Sequence, residues 1–457
     1  MLEWLARSKY SNNQAIRQSN NQKKHIMANN HSFSIKVMAC GLVLVALFAS
    51  CRKEPIKLEN PNTTYCTSYV HQFQTVWEGM NHIYVLWERD TVDWDARYAK
   101  HLPVFQEFDS RMKTNPVDSA EYHKAWKDVT KGLLDHHLTM LLYNPNGKYR
   151  IALQPGSNSY SHARDWQAET AALKQVPGMT EYVDYYDPNN SLVNSIFCLL
   201  PGKTQGKYIA YFRLSAFSIG EMADSSFNGK AAMEAPLKAF YGNEYLKGIS
   251  NGAAARAEVE SIIIDLRGNP GGSLSDISPA IGSLMQDHFH WGYTRTKMGL
   301  GRLDYSGWTK FEILCPENHL KASKPVVLLA DINTVSCGEI STYIIKMMPF
   351  GKVIGERTYG GTCALLPNTD KTFTLTYSGC FGDQNLAPFL GSGKPTHPDY
   401  FEHYVYSGTY DVVNTDYKSF EGVGVQPDIE VLYDANALKS GVDNQLNRAL
   451  QFLCTGN

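Results

Sequence analysis

The chain has 457 residues, with 43 Lys and Arg against 45 Asp and Glu and a formal net charge of -2. A hydrophobic fraction of 43% with 19% charged residues supplies material for large cores and excludes global disorder. The near-neutral balance argues against a nucleic-acid partner, which would need a clustered basic face.

Residues 1–32 are polar and lack apolar periodicity. Val37–Ser50 is an apolar run of fourteen residues that ends at Cys51. It is shorter than the roughly 20 residues of a bilayer span, follows Lys36, and places small residues Ala49 and Ser50 before the cysteine, as a cleavage site requires. The bland alternative is a short buried helix. The run resembles a bacterial lipoprotein signal, with Phe48 in place of the usual leucine. That resemblance implies a signal segment over 1–50 (Met27 being an alternative start), lipidation of Cys51, and a place in the bacterial cell envelope with membrane contact through the lipid alone. Seven thiols remain beyond Cys51, and an odd number leaves at least one unpaired. None form a Cys-x-x-Cys pair, so a zinc ribbon or redox motif is not expected.

Pro55, Asn60, Pro61 and Asn62 make 51–63 a tether. From 64 to 142 the pattern is helical. Val70, Phe73, Val76, Trp77, Met80 and Ile83 recur at helical spacing, and further helices are expected over 93–112 and 118–134, forming a small bundle. Residues 143–457 carry short β-rich segments and then strands alternating with helices: strand 207–214, an interrupted helix over 234–256, buried strand 261–266, helix 277–285, buried strand 325–330, helix 339–348, strands 353–355 and 372–377, and a terminal helix over 443–453. The order predicts an α/β core, α+β overall with the bundle. Residues 391–417 are aromatic and turn-rich, and are expected to be a loop insertion.

Four segments could carry chemistry. Asp265-Leu266-Arg267-Gly268-Asn269-Pro270-Gly271-Gly272 follows a buried strand, where glycines let backbone N–H groups converge on an anion; the plain alternative is a tight turn. Ser336-Cys337-Gly338-Glu339 follows the second buried strand. It reads either as a nucleophile on a strand-to-helix turn or as a Ser-x-x-Glu capping box. Asp135-His136-His137 closes the helical region and offers a general base, or merely surface histidines. Glu421 precedes Gly422-Val423-Gly424-Val425-Gln426-Pro427-Asp428, and could be a solvated loop residue.

Together, and in this order, these segments and Gly355–Gly361 resemble the C-terminal processing (tail-specific) serine peptidases. In the Ser/Lys members of that family a lysine follows the nucleophile by 25 residues; here that position is Gly361. The chain is therefore similar to the tricorn-core and interphotoreceptor-retinoid-binding-protein branch, whose base is a histidine. The resemblance implies Ser336 as nucleophile, His137 as base, and Glu421 orienting the imidazole or stabilising its charged form. It implies an oxyanion hole from the N–H of Cys337 with that of Gly271 or Gly272, and Asp265, Arg267, Glu339 and Thr358 in support. His136 and Leu138 depart from the branch's Asp-Gly-His-Thr motif. No metal or organic cofactor is implied, and the substrate would be a peptide or unfolded protein. The rival reading is a non-catalytic peptide- or lipophile-binding lipoprotein on the same scaffold.

Overall fold

The computed structural model describes residues 68–456, except 146–148, 157–161, 187–193, 223–229, 250, 299–300, 318–319, 321–323, 364–403 and 409. The signal run, Cys51, the tether and the strand expected at 372–377 lie outside the described residues. All described residues fall in one compact unit, Asn60–Asn457.

Three helices open it: α1 (Tyr69–Ile83), α2 (Trp94–Arg111) and α3 (Ser119–Thr130). Each starts where a short polar side chain takes an orphan N–H: Ser68 accepts from His71, Asp93 from Ala96 and Asp118 from Glu121. Their apolar faces meet around Phe73, Phe105 and Trp126, all fully buried, with Phe73 and Phe105 stacked at 4.4 Å. Strands β1 (Thr139–Tyr143) and β2 (Arg150–Leu153) follow, and Leu138, Met140 and Leu142 complete the same core.

After helix α4 (Trp166–Lys174) come β3 (Thr180–Tyr186), β4 (Asn194–Pro201), β5 (Tyr208–Leu214), helix α5 (Lys230–Tyr241) and β6 (Val259–Asp265). Strands β7 (Phe289–Thr296) and β8 (Thr309–Ile313) precede β9 (Val326–Ala330), helix α6 (Cys337–Met347) and β10 (Gly351–Gly355). The chain then forms β11 (Tyr404–Tyr406), β12 (Tyr410–Asn414), β13 (Ile429–Glu430) and a terminal helix α7 (Asn444–Thr455). The main sheet has the order β13-β10-β9-β6-β5-β4-β3. Its pairs from β13 to β5 are parallel, and β4 and β3 add on antiparallel. The α/β core with a leading helical bundle is as the sequence predicts.

Three local expectations change. The helical pattern expected through 142 ends at Thr130, and Thr139–Tyr143 is already strand β1, paired with β2. The helix expected over 277–285 breaks into a helical turn (Ile277–Ala280) and a 3-10 turn (Gly282–Leu284), with Pro279 inside the first and Gly282 pressed on the Leu314 carbonyl. Of the stretch 391–417, the described residues 404–408 and 410–417 are not merely a loop: β11 pairs with β1, and β12 pairs with β7 beside β8. Both pairings are long-range, and an irregular aromatic sequence gives no local sign of them. Cys198, Cys315, Cys337, Cys363 and Cys454 are free thiols.

Candidate active site

In open α/β sheets ligands sit beyond the carboxyl ends of the parallel strands. Here the loops after β6, β9 and β10 converge at that end. Leaving β6, Asp265 and Arg267 are fully buried, and Arg267 binds both Asp265 and Asp443, the N-cap of α7. Burial alone would push Asp265 upward, but Arg267 and Arg213 hold it far below the usual carboxylate range. These two residues brace the sheet end.

The next residues lie against the serine. Asn269 is fully buried: Nδ2 donates to the Leu214 carbonyl, Oδ1 accepts the Gly271 N–H, its own N–H donates to the Leu266 carbonyl, and its carbonyl accepts the Val335 N–H. Gly271 has φ +98°, and a Cβ there would lie 2.6 Å from the Ser336 Cβ. Since the Gly271 N–H is committed to Asn269 at 2.7 Å, Gly272 is the better placed of the two glycines to offer an N–H. Cys337 is buried, its thiol pushed up to about 12 by burial, and Sγ donates to the Gly272 carbonyl.

Ser336 stands between β9 and α6 with φ 56° and ψ -119°. An ordinary N-cap has extended dihedrals; a β-substituted residue held at positive φ is a strained turn of the kind that presents a nucleophile. Ser336 is partly exposed, and its N–H is shared by the Gly361 carbonyl (3.0 Å) and Glu339 Oε2 (3.2 Å). The glutamate half of the predicted capping box is thus made, within a larger role. Glu339 is fully buried and also accepts the N–H groups of Gly360 and Gly361 and the Thr358 hydroxyl. Thr358 in turn accepts the Val425 N–H. Burial pushes the Glu339 carboxyl up to about 7 against these donors.

The histidines arrive from the loop between α3 and β1. Glu421 Oε1 accepts the His136 N–H at 2.7 Å and lies 3.5 Å from His136 Nδ1, while Oε2 accepts the N–H groups of Thr362 and Cys363. His136 packs edge-on to Tyr359, and a Cβ at Gly361 would lie 3.4 Å from its own Cβ. One donor atom each from Asp135, His137 and Glu421 lies within 4.8 Å of the other two. Burial lowers His137 below the ordinary histidine value, outweighing the upward pull of Glu421. Burial pushes Glu421 upward, yet His136 and His137 and the donated N–H bond hold it below its usual value.

The structure therefore brings His136, His137 and Glu421 together. It separately joins Ser336, Gly271, Glu339 and Thr358, and the 360–363 strip links the two groups. Two residues passed over in the sequence belong to this frame: Asn269, inside the glycine motif, and Asp135, two residues before His137. Their positions within quoted motifs were the available signal.

Two groups have metal-ligand chemistry. In Asp135, His137 and Glu421 every carboxylate oxygen already accepts a backbone N–H. In His162, Asp331 and Glu356, Arg164 pairs with Asp331 and His162 bonds Glu356. In both groups the carboxylate oxygens are already engaged by protein donors.

Comparison with known proteins gives the class. Residues 209–431 match the model of peptidase family S41, and the α/β core belongs to that family of serine-type peptidases. The crystal structure of a putative peptidase from Parabacteroides merdae shares the fold at 18% identity and TM-score 0.52, covering 85% of this chain and 98% of that one. Mature CPAF does so at 13% identity and TM-score 0.52, over 85% and 97%. A tricorn protease homologue of Streptomyces coelicolor is 26% identical over 172 residues, 38% of this chain; the chain spans about a tenth (11%) of that relative's length.

Proposed function

We propose that the protein is a lipid-anchored envelope serine endopeptidase that cleaves peptides or unfolded proteins with Ser336, His137 and Glu421. The observation that carries this reading is the backbone of Ser336, at φ 56° on the turn into α6, with the Gly271–Gly272 loop against it. Ser336 Oγ attacks the peptide carbonyl as His137 accepts its proton, and the N–H groups of Cys337 and Gly272 receive the oxyanion. His137 then protonates the leaving amine, and water resolves the acyl-enzyme by the reverse path. Glu421 acts on the base loop, fixing it and offsetting the imidazolium charge. Glu339 and Thr358 hold the turn in shape, and Asp265 with Arg267 supports it from below. Membrane attachment is through a lipid on Cys51.

A fluorophosphonate probe tests the chemistry. Labelling of the wild type and its loss in Ser336→Ala supports the reading; equal labelling overturns it, and a folded wild type with neither labelling nor peptide cleavage returns the binding-lipoprotein alternative. Palmitate incorporation that survives Cys51→Ala would remove the anchor. Stable anchoring takes more than one acyl chain, because a single chain binds membranes marginally.

A further inference from the structure

We propose that Asp135 is a positioning residue of this peptidase, locking the backbone of the base His137 to the 407–408 segment and standing as a second carboxylate beside Glu421. The inference rests on the Ser336–His137–Glu421 reading and assigns a role to a side chain that this reading leaves unused.

Asp135 is fully buried, and both its oxygens are committed. Oδ1 accepts the His137 N–H at 2.7 Å, and Oδ2 accepts the Gly408 N–H at 2.7 Å, a bond that spans 273 positions. Gly408 lies between β11 and β12 and packs on Cys363, whose own N–H goes to Glu421. β11 pairs with β1, which begins two residues after His137. One carboxylate thus ties the start of β1 to the end of its partner strand at the base itself. The Tyr84 hydroxyl, bonded to Asp90, accepts the N–H groups of Leu134 and Asp135 and fixes the other side of the loop.

The charges around Asp135 make it more than a brace. It faces Glu421, His136 and His137, the Tyr84 hydroxyl with Asp90, and the Cys363 thiol. Besides burial, Glu421, the N–H groups of Gly408 and His137 and the His136 ring act on it most strongly. Burial, then Glu421, pushes the Asp135 carboxyl up to about 7. Two carboxylates this close cannot both ionise freely. As Asp135 ionises near neutrality it adds a negative charge where an imidazolium must form at His137. Activity should accordingly rise twice with pH, first as His137 loses its proton and again as Asp135 ionises.

The test is the pH profile of kcat and kcat/KM for wild type, Asp135→Asn, Asp135→Glu and Ser336→Ala, each with a thermal melt. Asp135→Asn is expected to lower kcat about 10- to 100-fold with KM within about twofold, since the side chain touches no substrate. It should also remove the upper ionisation, leaving a single rise. Asp135→Glu should keep a two-step profile at reduced kcat. An Asp135→Asn profile identical in shape to wild type, or unchanged kcat, overturns the proposal; so does a KM change that accounts for the whole loss. If Asp135→Asn does not fold, Asp135→Glu decides: a single-step profile in that variant overturns the charge role. Peptide cleavage by Ser336→Ala would instead sink the parent reading, and that outcome is independent of the Asp135 result.

Discussion

Glu421 Oε1 accepts the backbone N–H of His136 at 2.7 Å, joining residues 285 positions apart. The other oxygen of the same carboxylate holds the N–H groups of Thr362 and Cys363. Glu421 therefore fastens the histidine loop to the strip whose Gly361 carbonyl takes the Ser336 N–H. In Glu421→Gln the amide nitrogen cannot accept those N–H bonds, and a buried donor left without a partner costs about 1–3 kcal/mol. Urea melts should show a loss of that size, together with at least about a tenfold fall in kcat. Wild-type stability in the variant would mean that the carboxylate does not organise these loops.

His137 gives the first step of the pH dependence. Burial holds it below 6.5, so the neutral, proton-accepting form persists into mildly acid solution. The first rise in kcat/KM should have its midpoint below about pH 6.5, the ordinary histidine value, and His137→Ala should abolish it. The stability sign follows from the same shift. A depressed folded pKa contributes stability that is present above the unfolded value and lost as pH falls through the folded one, because the unfolded chain takes up the proton first. Melting temperature should therefore fall less steeply on acidification in His137→Ala than in wild type.

Gly271 has no room for a side chain. A methyl group there would approach the Ser336 Cβ to 2.6 Å, on a backbone at φ +98°. Gly271→Ala should displace the oxyanion loop or the serine, and lower kcat/KM by more than about 100-fold, the scale of losing one oxyanion donor. Circular dichroism should show the sheet retained. Full activity in this variant would place the reacting carbonyl elsewhere.

Asp411 is a stability determinant away from the serine. It is fully buried on β12 and binds Arg89, from the loop after α1, and Arg295 on β7. Arg295 also lies over the rings of Tyr305 and Trp308. Removing one partner from a buried ion cluster leaves uncompensated charge, at a cost of about 3–5 kcal/mol. Asp411→Ala should lose that much in urea unfolding; a change below about 1 kcal/mol would show that the two arginines find other acceptors.

What was legible in the sequence was local. The helices expected from 93 and 118 start where Asp93 and Asp118 cap them, a contact made within one turn. The runs 261–266 and 325–330 announced parallel strands because both their faces are buried. The serine turn and the glycine loop were visible as motifs, but the motif could not separate a routine cap from a nucleophile turn. That difference lies in the Ser336 dihedrals. The frame that holds the site was hidden for a different reason. His136 with Glu421, Asp135 with Gly408 and Leu141 with Tyr404 pair residues more than 250 positions apart, and neither spacing nor periodicity encodes such contacts. Asn269 went unassigned because its bonds to the Leu214 carbonyl and the Val335 N–H exist only once β5 and the serine turn have assembled around it.

The conformation of Ser336 also bears on how this protein trades durability for reactivity. A residue with a side chain at φ 56° and ψ -119° is held by its surroundings against a penalty on the order of 1–3 kcal/mol. Glycine escapes that penalty, whereas alanine removes the hydroxyl and keeps it. Two inactive proteins differing by one methyl group should then melt at different temperatures, Ser336→Gly above Ser336→Ala. The gap would measure what the fold gives up to keep its nucleophile aimed, and it would make the glycine variant the sturdier trap for holding an uncleaved substrate.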